Sequence, residues 1–267
     1  MKIGVSTSCL YPLETEKALS GVAKAGIKTT EIFFNAECEL KDGFISILKS
    51  IKDEYGIKIV SIHPTMSLAE SFMLFSNYPR RYKEGIEQYK RYAEIANRLD
   101  AKFIIMHGGK PNRAIDNNEY FYRFSSIHEM IKRDGADLLQ ENVVNFRAGN
   151  LEVLKNMKDY LGQNAAFCLD IKQCIRGGYS PFDALSVLGD TVKHIHISDN
   201  KPDNDCMLPG QGGFDFISFF KLCNKVGFKG DAIVEVYRDA FVEDEELYES
   251  YTKFTEFLNF SKIPLDK

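Results

Sequence analysis

Two stretches decide how this chain folds, Lys58-Ile59-Val60-Ser61-Ile62-His63-Pro64 and Phe103-Ile104-Ile105-Met106-His107-Gly108-Gly109, taken together with Arg81 to Leu99 between them. Each is a short apolar run rich in isoleucine that ends on a histidine, which reads as a buried strand of a parallel sheet. The segment between them carries Tyr82, Ile86, Tyr89, Ala93, Ile95 and Ala96 at helical spacing. Strand, helix and strand in this order form a βαβ unit.

The same alternation extends to both ends of the chain. Strands are predicted at Ile3 to Ser6, Thr30 to Phe34, Lys58 to Ile62 and Phe103 to Met106, then at Asp137 to Gln140, Ala166 to Leu169, His194 to Ile197 and Ala232 to Val236. Helices are predicted at Thr15 to Ala25, Gly43 to Tyr55, Arg81 to Leu99 and Tyr120 to Lys132, then at Asn150 to Met157, Pro181 to Leu188, Phe216 to Val226 and Asp244 to Leu258. Eight βα units with short connections imply one α/β domain over residues 1–267, a closed (β/α)8 TIM barrel, in preference to a doubly wound sheet. The fifth strand carries the weakest pattern, because Gly135-Ala136-Asp137-Leu138-Leu139-Gln140-Glu141 has no β-branched residue.

Composition narrows the function class. The 267 residues are 44% hydrophobic and 27% charged, ordinary for a globular protein with ample material for a core. With 34 Lys and Arg against 38 Asp and Glu the net charge is −4, without the basic stripe of a nucleic-acid binder. No window approaches the roughly 18 apolar residues of a membrane span, and Met1 to Ser8 lacks a signal-peptide pattern. The expected location is cytoplasmic, with no nucleic-acid or membrane partner. The six cysteines (Cys9, Cys38, Cys168, Cys174, Cys206, Cys223) form no CxxC pair and are read as free thiols. The aromatic-rich segment Leu247 to Phe260 fits a packed last helix, the simpler reading, or the interface of a homo-oligomer.

In such barrels the active site forms at the C-terminal ends of the strands. Six of the eight predicted strands bring an ionisable residue there: His63, His107, Glu141, Asp170, His196 and Glu235. Converging carboxylates repel and are costly to bury unless paired or metal-bound. Glu141, Asp170, His196 and Glu235 make an oxygen-rich set with one imidazole, suited to one divalent metal ion, Mn²⁺ or Mg²⁺ first, with Co²⁺ or Zn²⁺ tolerated. A carboxylate ending a strand is, taken singly, more often a cap or a salt-bridge partner, and it is the joint pattern that points to a metal. His194 falls one layer deeper on the same side of its strand and reads as a packed core histidine. His128 lies mid-helix and reads as surface or core filler.

The order and spacing of these segments resemble the xylose isomerase-like barrels, which include sugar isomerases, sugar epimerases and the endonuclease IV type of AP endonuclease. The echoes are Ser61-Ile62-His63, Ile105-Met106-His107-Gly108-Gly109, Gln140-Glu141-Asn142, Cys168-Leu169-Asp170, His194-Ile195-His196-Ile197-Ser198-Asp199, Leu208-Pro209-Gly210-Gln211-Gly212 and Ile233-Val234-Glu235. The resemblance implies a metal-dependent isomerase or epimerase of a ketose-type sugar or polyol, working through a metal-stabilised cis-enediolate with Glu141 and Glu235 as acid and base. It leaves open a dehydratase acting on a keto-inositol, in which a β-hydroxyl is expelled. The nuclease branch needs further zinc ligands where this chain has Gln173, Asn204 and Cys206, so that activity is not expected. His63, His107 and Gln173 are then expected to contact the carbohydrate substrate. Lys110 is a weaker candidate for a carboxylate or phosphate, as are Arg176 and Arg238.

Overall fold

The computed structural model describes residues 1–65, 69–111, 114–261 and 263. Eight strands close into a parallel barrel: β1 (Ile3–Ser6), β2 (Thr29–Phe33), β3 (Lys58–His63), β4 (Phe103–Met106), β5 (Asp137–Glu141), β6 (Phe167–Asp170), β7 (Val192–Ile197) and β8 (Asp231–Val234). Their order around the barrel is β1-β8-β7-β6-β5-β4-β3-β2. Helices α1 (Thr15–Lys24), α2 (Asp42–Tyr55), α3 (Pro79–Leu99), α4 (Asn117–Arg133), α5 (Leu151–Leu161), α6 (Pro181–Leu188), α7 (Phe216–Lys225) and α8 (Asp244–Phe260) follow the strands in turn. The expected (β/α)8 architecture is therefore present. β5 forms despite its lack of β-branched residues, pairing Phe103 to Asp137 through Met106 to Gln140 along β4.

Local signals start the helices. Asp116, Asn150, Ser180 and Asp215 each accept a backbone N–H from the first turn that follows, as N-caps worth about 1 kcal/mol each. Pro181 occupies the first turn of α6, where its missing N–H costs nothing. Helix α3 buries Tyr89, Tyr92, Ala93, Ile95, Ala96 and Leu99, which share one face at helical spacing. That face belongs to the large apolar layer between strands and helices. A smaller cluster of Ile105, Leu139, Ala166 and Cys168, with Phe103 against it, is separate from that layer and comes from the strands and the residue just before β6.

Three short elements lack a sequence pattern strong enough to predict them: the helices Glu70–Met73 and Ile171–Arg176, and a hairpin of Asp199–Lys201 with Asn204–Met207. They lie in connections after β3, β6 and β7, the end of the barrel where loops carry function. Among the described residues no helix is long and apolar enough to cross a membrane, and all six cysteines are free.

His128, expected at the surface or as core filler, is the second of these, buried on α4 with Nδ1 3.0 Å from the Leu138 carbonyl oxygen. Burial holds its pKa below the usual histidine value. Below about pH 6.5 the unfolded chain therefore takes up a proton that the fold resists, so His128's contribution is whole above that pH and lost as the pH falls. The drop in Tm between about pH 7.5 and pH 5.5 should be smaller in His128→Gln than in the parent chain. An unchanged drop, measured by calorimetry across that range, would contradict this account.

Candidate functional site

Strand register assembles the site. Ser6 is level with Glu31, Glu31 with Ser61, and Asp170 with His196. The polar residues of these strands meet at two depths.

The lower depth centres on Glu31, fully buried within β2. Its Oε2 accepts from Ser61 Oγ at 2.7 Å and lies 3.1 Å from His196 Nε2 and 3.4 Å from His194 Nε2. Ser6 Oγ donates to Oε1 at 3.3 Å. Burial alone would raise the Glu31 carboxyl, but His196 and His194 beside it hold it well below the usual range. An imidazole that gives its Nε2 proton to Glu31 presents Nδ1 to the level above.

At that upper level His196 Nδ1 lies 3.2 Å from Glu141 Oε1, 3.2 Å from Glu235 Oε2 and 3.9 Å from Asp170 Oδ2. One oxygen of Asp170 is committed, since Oδ1 caps the helix Ile171–Arg176 through the Gln173 N–H at 2.9 Å. Asn142 holds the strand end, exchanging amide hydrogen bonds of 2.7 and 3.0 Å with the Asp170 backbone. His107 Nε2 and His63 Nε2 approach Glu141 Oε2 at 3.1 and 3.6 Å. Lys172 Nζ is 2.6 Å from Asp170 Oδ2 and 3.5 Å from Glu235 Oε2.

Charges of both signs are thus buried together. Burial favours a neutral Glu235, yet His196 and Lys172 bring its pKa down to about 2. Burial also opposes ionisation of Glu141, and the histidines around it prevail, holding it well below its usual value. Asp170 is raised, because burial and the repulsion of Glu141 and Glu235 outweigh Lys172. His196 behaves conversely, burial being overcome by its anionic neighbours, so the ring holds a proton well above the usual pH. A divalent cation at Nδ1 would replace that proton.

The residues present fit such a cation. Donor atoms of Glu141, Asp170, His196 and Glu235 all lie within 4.8 Å of one another. Three carboxylates and one imidazole are a hard donor set for Mn²⁺ or Mg²⁺. Two further groupings, Glu31 with His194 and His196, and His63 with His107 and Glu141, meet the same distance. In the first, Glu31 is already engaged by hydroxyls and imidazoles. The second lines a cavity of about 530 Å³, together with Ser8, Gln173 and Glu235, a volume suited to a small metabolite.

Residues 19–256 match the family of xylose isomerase-like TIM barrels. The chain belongs to that family. An uncharacterised protein of Mycobacterium leprae is 23% identical over 99% of this chain and 98% of its own length. The inosose dehydratase of Clostridium botulinum is 20% identical over 84% of this chain and 82% of its own. Among solved structures, a D-psicose 3-epimerase determined in the presence of D-fructose superposes with a TM-score of 0.78 at 16% identity, covering 98% of this chain and 99% of that one.

Within this xylose isomerase-like barrel the four expected ligands converge, with His63, His107 and Gln173 at the wall of the same cavity. His194 lies below, fully buried as expected. Lys110 is not brought to the cavity wall; it is exposed, with Nζ 5.5 Å from the centre of the Phe146 ring. Arg176 pairs with Asp205 and Tyr237, and Arg238, which does reach the wall, holds the carbonyls of Phe241 and Val242. Sequence reasoning misses two members. Glu31 sits inside its strand rather than at its end, although a charged residue within Thr29-Thr30-Glu31-Ile32-Phe33 is a signal that could have found it. Lys172 follows Asp170 at a spacing that carries no pattern.

Replacing Glu31 by Leu leaves His196, His194 and Ser61 without their common acceptor. Removing one partner of a buried ionic group should cost about 3–5 kcal/mol, measured by urea unfolding of chelator-treated protein. A loss below about 1 kcal/mol would contradict the bridging role.

Proposed function

We propose that this protein is a divalent-metal-dependent isomerase or epimerase of a ketose-type sugar or polyol. The observation that carries the reading is that Glu141 and Glu235, from β5 and the end of β8, each stand 3.2 Å from His196 Nδ1. Two carboxylates thus approach one point from separate strands, and both line the cavity.

Glu141, Asp170, His196 and Glu235 would hold the cation, which when bound supplies Lewis acidity that makes a C–H beside a coordinated carbonyl acidic. One glutamate takes that proton and the other returns one. Return to the opposite face of the same carbon gives the epimer, and return to the neighbouring carbon gives the isomer. His63 and His107 line the cavity with their Nε2 atoms 3.6 and 3.1 Å from Glu141 Oε2, so their rings stand beside the space a substrate would fill. Gln173 accepts the Val144 N–H at 3.0 Å through Oε1, which leaves its amide nitrogen to donate to substrate. The solved 3-epimerase of the same fold and the net negative charge both favour a small carbohydrate over a nucleic acid.

A second reading is dehydration of a keto-polyol, favoured by the inosose dehydratase of C. botulinum, aligned over most of both chains. It begins with the same proton removal and ends with loss of a hydroxyl. A product lighter by one water identifies it, whereas a product of equal mass identifies isomerisation.

The test is solvent deuterium exchange into D-fructose, other 2-ketohexoses and inosose with Mn²⁺-supplemented protein. Carbon-bound deuterium beside the carbonyl is expected, abolished by chelator and restored by Mn²⁺. Glu141→Gln and Glu235→Gln should each lose about 10²–10⁴-fold in rate while keeping a native circular dichroism spectrum. Full activity in either variant would sink the assignment.

A further inference from the structure

We propose that Lys172 is a built-in counter-cation that holds Asp170 and Glu235 together and competes with the divalent ion for them. The proposal rests on the metal reading above, and the test separates the two.

The geometry is that of a competitor. Lys172 Nζ is 2.6 Å from Asp170 Oδ2 and 3.5 Å from Glu235 Oε2. These are the same two oxygens that face His196 Nδ1, at 3.9 and 3.2 Å. They are also the oxygens that face the cluster, since Asp170 Oδ1 is spent on the helix cap. Lys172 is 2% exposed as a whole residue, so little solvent screens its ammonium. A divalent ion taking those lone pairs would face a like charge within a few ångströms, at an effective dielectric far below that of water.

The lysine also has somewhere to go. Its backbone is fixed in the first turn of Ile171–Arg176, so only the side chain needs to swing. Lys172 lines the cavity, and its Nζ is already 5.4 Å from the centre of the Tyr237 ring, on the open side of the site. That distance is already within cation–π range, on a ring shared with Arg176 Cζ at 5.0 Å, so the amine can pivot away from the two carboxylates while keeping this contact. The exchange therefore needs no backbone movement. Without the ion, Lys172 neutralises part of the carboxylate cluster; with it, the amine turns toward the cavity, where the substrate would lie.

The experiment is calorimetric titration of chelator-stripped protein with Mn²⁺. Lys172→Met, close in shape and uncharged, should bind Mn²⁺ about tenfold or more tightly than the parent chain, in the range by which neighbouring groups tune metal sites. Lys172→Arg, which keeps the charge, should not show that gain. The apo form of Lys172→Met should melt lower than the parent and gain more in Tm on Mn²⁺ addition. Equal or weaker binding by a natively folded Lys172→Met overturns the proposal while leaving the metal reading intact. Absence of Mn²⁺ binding by parent and variant alike overturns both. Should Lys172→Met fail to fold, reductive methylation of the unaltered protein tests the same exchange: peptide mapping should find Lys172 more reactive with Mn²⁺ present, and equal or lower reactivity overturns it.

Discussion

Everything at the mouth of this barrel depends on compensating negative charge that has been buried. Glu141, Asp170 and Glu235 converge within 4.8 Å through single donor atoms, and Glu31 lies beneath them. Each carboxylate left unpaired at such depth would cost several kcal/mol, more than a typical domain can spare several times over. The surrounding residues answer that demand. His196 stands between the levels, His63 and His107 flank Glu141, and Lys172 reaches Asp170 and Glu235.

His196 couples the two depths. Its Nε2 is fixed by Glu31, which is itself anchored by Ser61 and Ser6 from neighbouring strands, so the ring cannot turn without breaking the lower network. Orientation of His196 Nδ1 is thus determined by residues that do not line the cavity. The register shift between Thr30 and Glu31 along the β2–β3 ladder brings Glu31 level with Ser61. A slip of one residue would turn Glu31 to the opposite face of the sheet and leave His196 without its anchor.

Much of this is legible from residue order. The eight strands and their helices follow from hydrophobic period, because closure of a parallel barrel demands fully apolar short runs and one-sided helices. The four candidate ligands are legible too, as ionisable residues ending or lying within such runs. Glu31 escapes because active-site charges are sought at the ends of strands, whereas the barrel interior accommodates one a layer lower. Lys172 is illegible for a different reason: a lysine two residues past an aspartate has no characteristic spacing, and its meaning arises only when the turn of Ile171–Arg176 folds the side chain back over the strand end. Lys110 is the opposite case, a loop charge after the fourth strand that suggests contact with a carboxylate or phosphate, but whose Nζ lies 5.5 Å from the centre of the Phe146 ring.

The wall of the cavity, rather than the ligand set, determines which substrate groups this site can read. Gln173 stands three residues past Asp170, and its backbone N–H and its side-chain oxygen are both committed, the first to Asp170 and the second to Val144. A backbone N–H can only donate, so the amide oxygen must face Val144 and the nitrogen is the end left to donate. That wall position therefore offers a neutral donor that keeps one role at every pH, where an imidazole could act as donor, acceptor or cation. Substrate oxygens that accept, such as a carbonyl or a hydroxyl lone pair, suit it. The wall is nevertheless charged as well as polar, because Lys172, Arg238 and Asp239 line the same cavity as Gln173, so a substrate there meets fixed charge as well as directional hydrogen bonds.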